Sequence, residues 1–314
     1  MKRRLKDALK RGLFYLYRLG TRLGVHVMPV HYYSPVPNII ELERNRDAWA
    51  RRSDLPGIAI NIDEQFARLR EICTPYVDEY AGNAAYREAV AAAYGPGYGY
   101  VEAQVLHAVI RHLKPKRIVE VGSGVSTHCM QRALELNRKE GRHDSTMTCI
   151  EPFPSARLRQ TPTIELIKER VQSVPVDVFR RLGDGDFLFI DSSHAVKTGS
   201  DVNNLVLEVL PALAPGVTVH FHDIYLPYDY QRDVLKTFLH WSETSLLRAY
   251  LTYNERISIL FCLSLLHYDR QDSLRELFPE YDPAPGADGL NPDSFRPFEE
   301  ARKHFPSSIY LRTA

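Results

Sequence analysis

Between residues 101 and 221 the chain alternates between helical and strand-like apolar periods, and this alternation limits the fold more than any other feature. Residues 101–113 carry helical periodicity, and Arg117–Val121 is a short apolar run ending in glycines. Residues 126–139 read as a helix and Thr146–Ile150 as a second strand. A helix is expected over about 155–169, leading to a short third strand near Val171. The strongly apolar run 186–190 is the fourth strand, 202–213 the next helix and 217–221 the fifth strand. Strands separated by helices of this length need crossover connections. They therefore lie parallel, buried on both faces, in an α/β sheet with helices on either side.

The flanks depart from this rhythm. Residues 231–250 look helical, 256–262 strand-like, 270–305 polar with several prolines and glycines, and 308–312 suits a last strand. Ahead of the repeat, residues 63–94 look helical and Gly95-Pro96-Gly97-Tyr98-Gly99-Tyr100 breaks them off. Residues 31–62, rich in proline and aromatics, suit an ordered loop or lid that includes Tyr32 and Tyr33. Residues 1–24 hold eight Lys/Arg against the single acid Asp7, with leucines at helical spacing. Such a basic amphipathic helix either packs its apolar stripe on the rest of the protein, the ordinary outcome, or docks on anionic lipid. The expected division is an extension over 1–94 and a catalytic domain over 95–314 with an insertion at about 263–306.

A net charge of +1 gives no global case for nucleic-acid binding. The cysteines Cys73, Cys129, Cys149 and Cys262 form no CxxC pair, which argues against a zinc knuckle and for reduced thiols. No apolar stretch approaches the ~18 residues of a bilayer span. The basic start Met1-Lys2-Arg3-Arg4 mimics a signal peptide, but Lys10, Arg11 and Arg18 interrupt its would-be apolar core. The expected location is the cytoplasm, with peripheral contact at the inner membrane face if the first helix meets lipid.

In an open α/β sheet, ligands bind beyond the carboxyl ends of the strands. The first strand ends in Glu120-Val121-Gly122-Ser123-Gly124-Val125-Ser126, where glycines permit a sharp turn and the next helix presents its amides. Thr127 stands where a dinucleotide loop needs its third glycine, and Glu120 would repel a pyrophosphate. A cationic ligand such as S-adenosylmethionine tolerates that carboxylate. The second strand ends in Glu151, about thirty residues on, where a carboxylate grips a ribose diol.

The run from Lys114 to Gly124 resembles motif I of class I S-adenosylmethionine-dependent methyltransferases. The finer pattern Ile190-Asp191-Ser192-Ser193-His194, Lys197-Thr198-Gly199-Ser200-Asp201 and His220-Phe221-His222-Asp223-Ile224 is similar to the bacterial branch called methyltransferase family 24. The resemblance covers roughly residues 95–262. It implies a Rossmann-like, mostly parallel seven-stranded sheet in the order 3-2-1-4-5-7-6, with 256–262 and 308–312 as strands six and seven. It also implies S-adenosylmethionine on Glu120, Gly122, Ser123, Gly124, Ser126, Glu151, Gln172, Asp191 and Ser192, with Gln172 near the adenine.

Asp191 and His194 follow strand four, and His222 and Asp223 follow strand five, so these groups should converge on one crevice. The arrangement partly resembles catechol-type O-methyltransferases. Asp191 and Asp223 fall at that family's metal carboxylates, His194 at its base, and Ile224 replaces its usual asparagine. Two readings of the chemistry remain. His194, with Asp191 or Asp223, serves as general base. Alternatively, Asp191, His194, His222 and Asp223 ligate a divalent metal, for which mixed ligands favour Mn, Fe, Co, Ni or Zn. His220 reads as a core histidine, and Lys197 and Asp201 as a surface pair, unless Lys197 instead orients a carboxylate or the acceptor. The leading function is O-methylation of a small-molecule or glycosidic acceptor. Its rivals are a non-methylating enzyme that cyclises or eliminates and releases methylthioadenosine, and a non-catalytic cofactor-binding subunit.

Overall fold

The computed structural model describes residues 2–94, 97–141, 144–296 and 299–314, with side chains from Lys6 onward. Gly95 and Pro96, part of the expected break, lie outside the described residues. Two compact units divide the chain, one reaching to Trp49 and the other Ala50–Ala314. The division falls well before residue 95 because the helix Ile62–Cys73 buries Leu69, Ile72 and Cys73 in the same core as the sheet.

The smaller unit contains the helix Lys2–Arg22 and, within the expected loop, two short helices at Ile39–Arg44 and Arg46–Trp49. Trp49 Nε1 donates to the Leu42 carbonyl at 2.9 Å and ties those two together. Tyr32 and Tyr33 are exposed.

The larger unit is built on seven strands: β1 Arg117–Val121, β2 Thr146–Ile150, β3 Glu165–Ile167, β4 Phe187–Ile190, β5 Thr218–Phe221, β6 Ile257–Cys262 and β7 Ile309–Thr313. Their order is 3-2-1-4-5-7-6, as the resemblance implied. β1 to β5 pair in parallel, while β7 runs antiparallel to both β5 and β6. Alternate residues enter opposite layers, as the strand period requires. Ile118, Phe187 and Phe189 pack with the helices Tyr100–Leu113 and Val125–Lys139. Val119, Val121, Leu188 and Ile190 pack on the other face with Val202, Leu205 and the helix Glu243–Leu251.

Several boundaries differ from expectation. The helix expected over 155–169 is only Ala156–Arg159. Pro162 has no amide to continue it, so the chain extends early and β3 forms at 165–167 rather than near Val171, which lies in a single 3-10 turn. Residues 231–242 are turns, and the helix expected from 231 begins at Glu243. The stretch 63–94 is several short helices, interrupted at Pro75 and at Gly82 and Asn83, both with positive φ. The expected insertion opens on two helices, Leu263–Asp269 and Gln271–Leu277, whose leucines 263, 266, 274 and 277 enter the core.

Register decides where the site lies. Val121 pairs with both Ile150 and Ile190, and Ile190 pairs with Phe221. The four strands therefore end level, and the residues just beyond them, Gly122, Glu151, Asp191 and His222, share one rim.

Candidate active site

Two adjoining hollows open along that rim. One, of about 450 Å³, is lined by Glu151, Phe153, Gln172, Ser192, Lys197 and Asp201 among others. The other, of about 470 Å³, is lined by Tyr98, Ser123, Gly124, His194, Asp223 and Trp241 among others. Gly122, Glu151, Asp191, Ser192 and Ser193 border both, so the two form one crevice.

The loop after β1 sets its floor. Gly122 has φ +81°, and a Cβ there would collide with the Asp191 carbonyl oxygen. Glycine is thus required where β1 and β4 meet. Glu151 stands half-buried at the rim, its carboxylate accepting the Phe153 amide at 2.8 Å and the Ser123 hydroxyl at 3.3 Å. Gln172 borders the first hollow and donates to the Gly199 carbonyl at 3.0 Å.

Glu120 does not border the crevice. It is fully buried beneath the loop, accepting from Ser126 at 2.8 Å, Thr127 at 2.7 Å and Cys149 at 3.0 Å. Burial outweighs these hydrogen bonds and pushes its pKa up to about 7. Glu120 therefore fastens the loop rather than presenting charge to a ligand. Ser126 turns its hydroxyl to Glu120 while still bordering the second hollow.

At the other end, His194 and Asp223 hold left-handed backbone conformations, with φ 57° and 55°. Non-glycine residues adopt these at a cost, and such strain gathers at functional sites. The His194 carbonyl accepts the Ser242 and Glu243 amides at 2.9 and 3.1 Å, and its Nδ1 meets the Glu243 carboxylate at 2.7 Å. That contact turns Nε2 toward Asp191 Oδ1 at 3.2 Å and Asp223 Oδ2 at 3.4 Å. The Trp241 ring closes over His194 with centroids 4.7 Å apart. Asp223 is steadied by the hydroxyls of Tyr225 and Ser307, each at 3.0 Å. Asp201 grips the Ser193 amide and hydroxyl at 2.9 and 2.6 Å, which orders the loop between β4 and its helix. The expected Lys197–Asp201 pair is thus replaced by Asp201–Ser193, and Lys197 lies exposed at the crevice edge.

One donor atom each from Asp191, His194 and Asp223 lie within 4.8 Å of one another. His222 sits beside them. Its buried Nδ1 makes no hydrogen bond and lies 3.5 Å from Asp191 and 3.4 Å from Asp223, while Nε2 is 3.4 Å from Glu102. Glu102 in turn accepts the Ser307 amide at 3.1 Å and the Ser308 hydroxyl. His220, in contrast, stacks on Phe189 at 4.4 Å with burial driving its pKa well down, a neutral core histidine as expected.

Four carboxylates thus face two imidazoles, and the charges perturb one another. Burial alone would lower His194, but Asp191, Glu243 and Asp223 more than offset it and raise the ring to about 10. His222 is also pushed well up, burial being outweighed by Asp223, Glu102 and Asp191. For Asp191, burial is outweighed by His222 and His194, which hold its carboxyl well below the usual range, and Asp223 moves the same way. A histidine raised from about 6.5 stabilises the fold fully below that pH, and the stabilisation disappears as pH rises through the folded value. For His194 the window of loss ends at about 10. The depressed aspartates act in the opposite sense, contributing above the ordinary carboxylate range and losing it on acidification. Melting curves of protein stripped of divalent ions should therefore fall from about pH 7 toward 10, more shallowly in His194→Gln. Parallel curves for the two proteins would mean that His194 is not ion-paired.

Glu243 and Ser307 were not among the residues expected at the site. Glu243 opens a helix and is 1% exposed, but no local pattern ties it to a histidine 49 positions earlier.

Residues 119–224 match the family model described as a methyltransferase domain. An uncharacterized protein of Archaeoglobus fulgidus is 35% identical over 164 residues, spanning 49% of this chain and 72% of that protein. The chain belongs to the methyltransferase-domain family. The match runs from β1 through Asp223, so it takes in the loop after β1, Glu151 and the Asp191–His194 loop. Among solved structures, the O-methyltransferase TomG of Streptomyces achromogenes is 12% identical, with 82% of this chain and 92% of that chain covered and a TM-score of 0.42. The O-methyltransferase of Bacillus cereus is 12% identical, with 79% and 100% covered and a TM-score of 0.42.

Proposed function

We propose that this methyltransferase-family chain moves a methyl group from S-adenosylmethionine to an oxygen of a small-molecule or glycosidic acceptor, with a divalent cation at Asp191, His194 and Asp223. The observation that carries the reading is the setting of His194. One ring nitrogen is held by a buried carboxylate, and the other points between two aspartates at the crevice floor. A carboxylate on the far nitrogen is the usual support of a metal-binding histidine, fixing its tautomer and orientation. His222 Nδ1, which makes no hydrogen bond beside Asp191 and Asp223, and the excess of carboxylates also suit a cation. The carboxylates that hold a proton on the ring at neutral pH argue against a free base, and a cation would take the place of that proton between the two aspartates.

S-adenosylmethionine, when bound, supplies an electrophilic methyl on a sulfonium. A divalent cation supplies a Lewis acid that lowers the pKa of an acceptor hydroxyl. The residues do the rest. Glu151 offers carboxylate oxygens to ribose hydroxyls, and Gly122 lets the backbone approach the ligand. Asp191 borders both hollows, beside the donor on one side and the acceptor on the other. Trp241 and Tyr98 wall the acceptor side and exclude water.

The test is calorimetry with S-adenosylmethionine and S-adenosylhomocysteine, metal analysis of the purified protein, and identification of the sulfur product. S-adenosylhomocysteine as product supports methyl transfer, whereas methylthioadenosine would point to elimination or cyclisation. A folded protein that binds neither ligand would sink the proposal. Glu151→Ala is expected to weaken cofactor binding by about 1.5–3 kcal/mol, the scale for hydrogen bonds to a charged group. Unchanged affinity in a folded variant would place the ribose elsewhere.

A further inference from the structure

The helix Lys2–Arg22 has two chemically different sides. At about 3.6 residues per turn, Leu9 and Leu16 fall in one narrow arc, with Leu23 just past the helix end, and Arg11, Arg18 and Arg22 in the arc opposite. Within its unit the following segment covers only one flank. Leu13, Phe14 and Tyr17 enclose a small apolar cleft with Val27, Met28 and Pro29. The leucine arc stays bare, with Leu9 64%, Leu16 50% and Leu23 73% exposed. In the following segment Val30, Tyr32 and Tyr33 are exposed as well, at 78, 94 and 84%. Contiguous exposed apolar residues rimmed by charge mark an interaction surface.

We infer that this surface docks on anionic lipid bilayers. Charge decides the occupant. Residues 1–24 carry eight Lys/Arg and one acid, which complements anionic headgroups. A second copy of the same helix would bring like charge against like. No helix among the described residues is long and apolar enough to cross a membrane, so this one lies in the plane of the interface. There the leucines enter the acyl boundary, the long cationic side chains reach the headgroups, and tyrosines occupy the zone between. Neither reading of the crevice is needed for this inference.

The test uses the full chain and sedimentation with two vesicle types, phosphatidylcholine alone and phosphatidylcholine with about one-third phosphatidylglycerol. Binding is expected only to the second, and to weaken at least tenfold between low and high salt, because screening shortens the reach of surface charge. Two variants separate the contributions. Arg11→Gln/Arg18→Gln should reduce binding about tenfold, and Leu9→Ser/Leu16→Ser should reduce it at least as much. An unchanged melting temperature in both would show that the larger unit is intact. Equal binding to both vesicle types, or binding to neither, would overturn the inference. So would a concentration-dependent dimer that the serine variant abolishes in the absence of vesicle binding, since a second copy would then cover the face.

Discussion

Replacing His194 with alanine is expected to lower kcat by about 10²–10⁴-fold while leaving S-adenosylmethionine affinity within about threefold. The split follows from position. His194 borders only the hollow nearer Asp223 and Trp241, whereas Gln172 borders only the other and Glu151 stands between the two. If His194 is a cation ligand, the alanine variant loses bound metal together with rate. A chelator then abolishes wild-type activity, and a suitable divalent ion restores it. Glu243→Gln should give a milder form of the same defect, about 10–100-fold in metal affinity, because it weakens the support of the ligand rather than the ligand. If His194 is a base instead, metal content is unchanged and the rising limb of the pH–rate profile vanishes in the variant. In the cation-free protein that limb would lie far above the ordinary histidine range, since the ring is held at about 10. An active His194→Ala enzyme with the wild-type pH profile and no metal requirement would remove both roles and leave Asp191 or Asp223 as the acting group.

What could be read from the chain alone was what is local. Each strand end is marked by an apolar run followed shortly by glycine or acid, so the sequence alone puts Gly122, Glu151, Asp191 and Asp223 at the carboxyl ends of the strands. The strand order came from resemblance to a known fold, because nothing in an apolar run specifies its neighbour. Glu120 is instructive in the other direction. It was expected to face the ligand, yet strand alternation already placed it on the side of Ile118, beneath the helix Val125–Lys139. Its neighbours Ser126 and Thr127 are the hydroxyls that a buried carboxylate there requires. The early end of the helix after β2 was also legible, in Pro162. Glu243 was not. Its contact with His194 depends on the turns of residues 231–242 bringing a later helix back over the strand ends, and long-range closure of that kind leaves no periodic trace.

The loop between β1 and its helix gives the sharpest test of the site's construction. Gly122→Ala is expected to lower stability by about 2–5 kcal/mol, combining the ~1–2 kcal/mol cost of a left-handed alanine with ~1–3 kcal/mol of overpacking. The new methyl would meet the carbonyl oxygen of Asp191, and neither partner is free to yield. The Gly122 amide is bonded to the Ile150 carbonyl at 3.1 Å, and the Asp191 amide to the Val121 carbonyl at 2.9 Å. Relief requires the ends of β1 and β4 to part, which moves the Asp191 carboxylate away from His194 and reshapes the hollow beside Glu151. Melting temperature should therefore fall by about 5–15 °C for a unit of this size, and S-adenosylhomocysteine affinity should fall with it. Gly183→Ala is the control, because a Cβ there meets no atom within 4 Å and its φ is not in the left-handed region. That change should stay within about 0.5 kcal/mol of wild type. A Gly122→Ala protein that melts like the control and binds the cofactor normally would mean that the strand ends are not locked together, and that the placement of Asp191 does not depend on the loop.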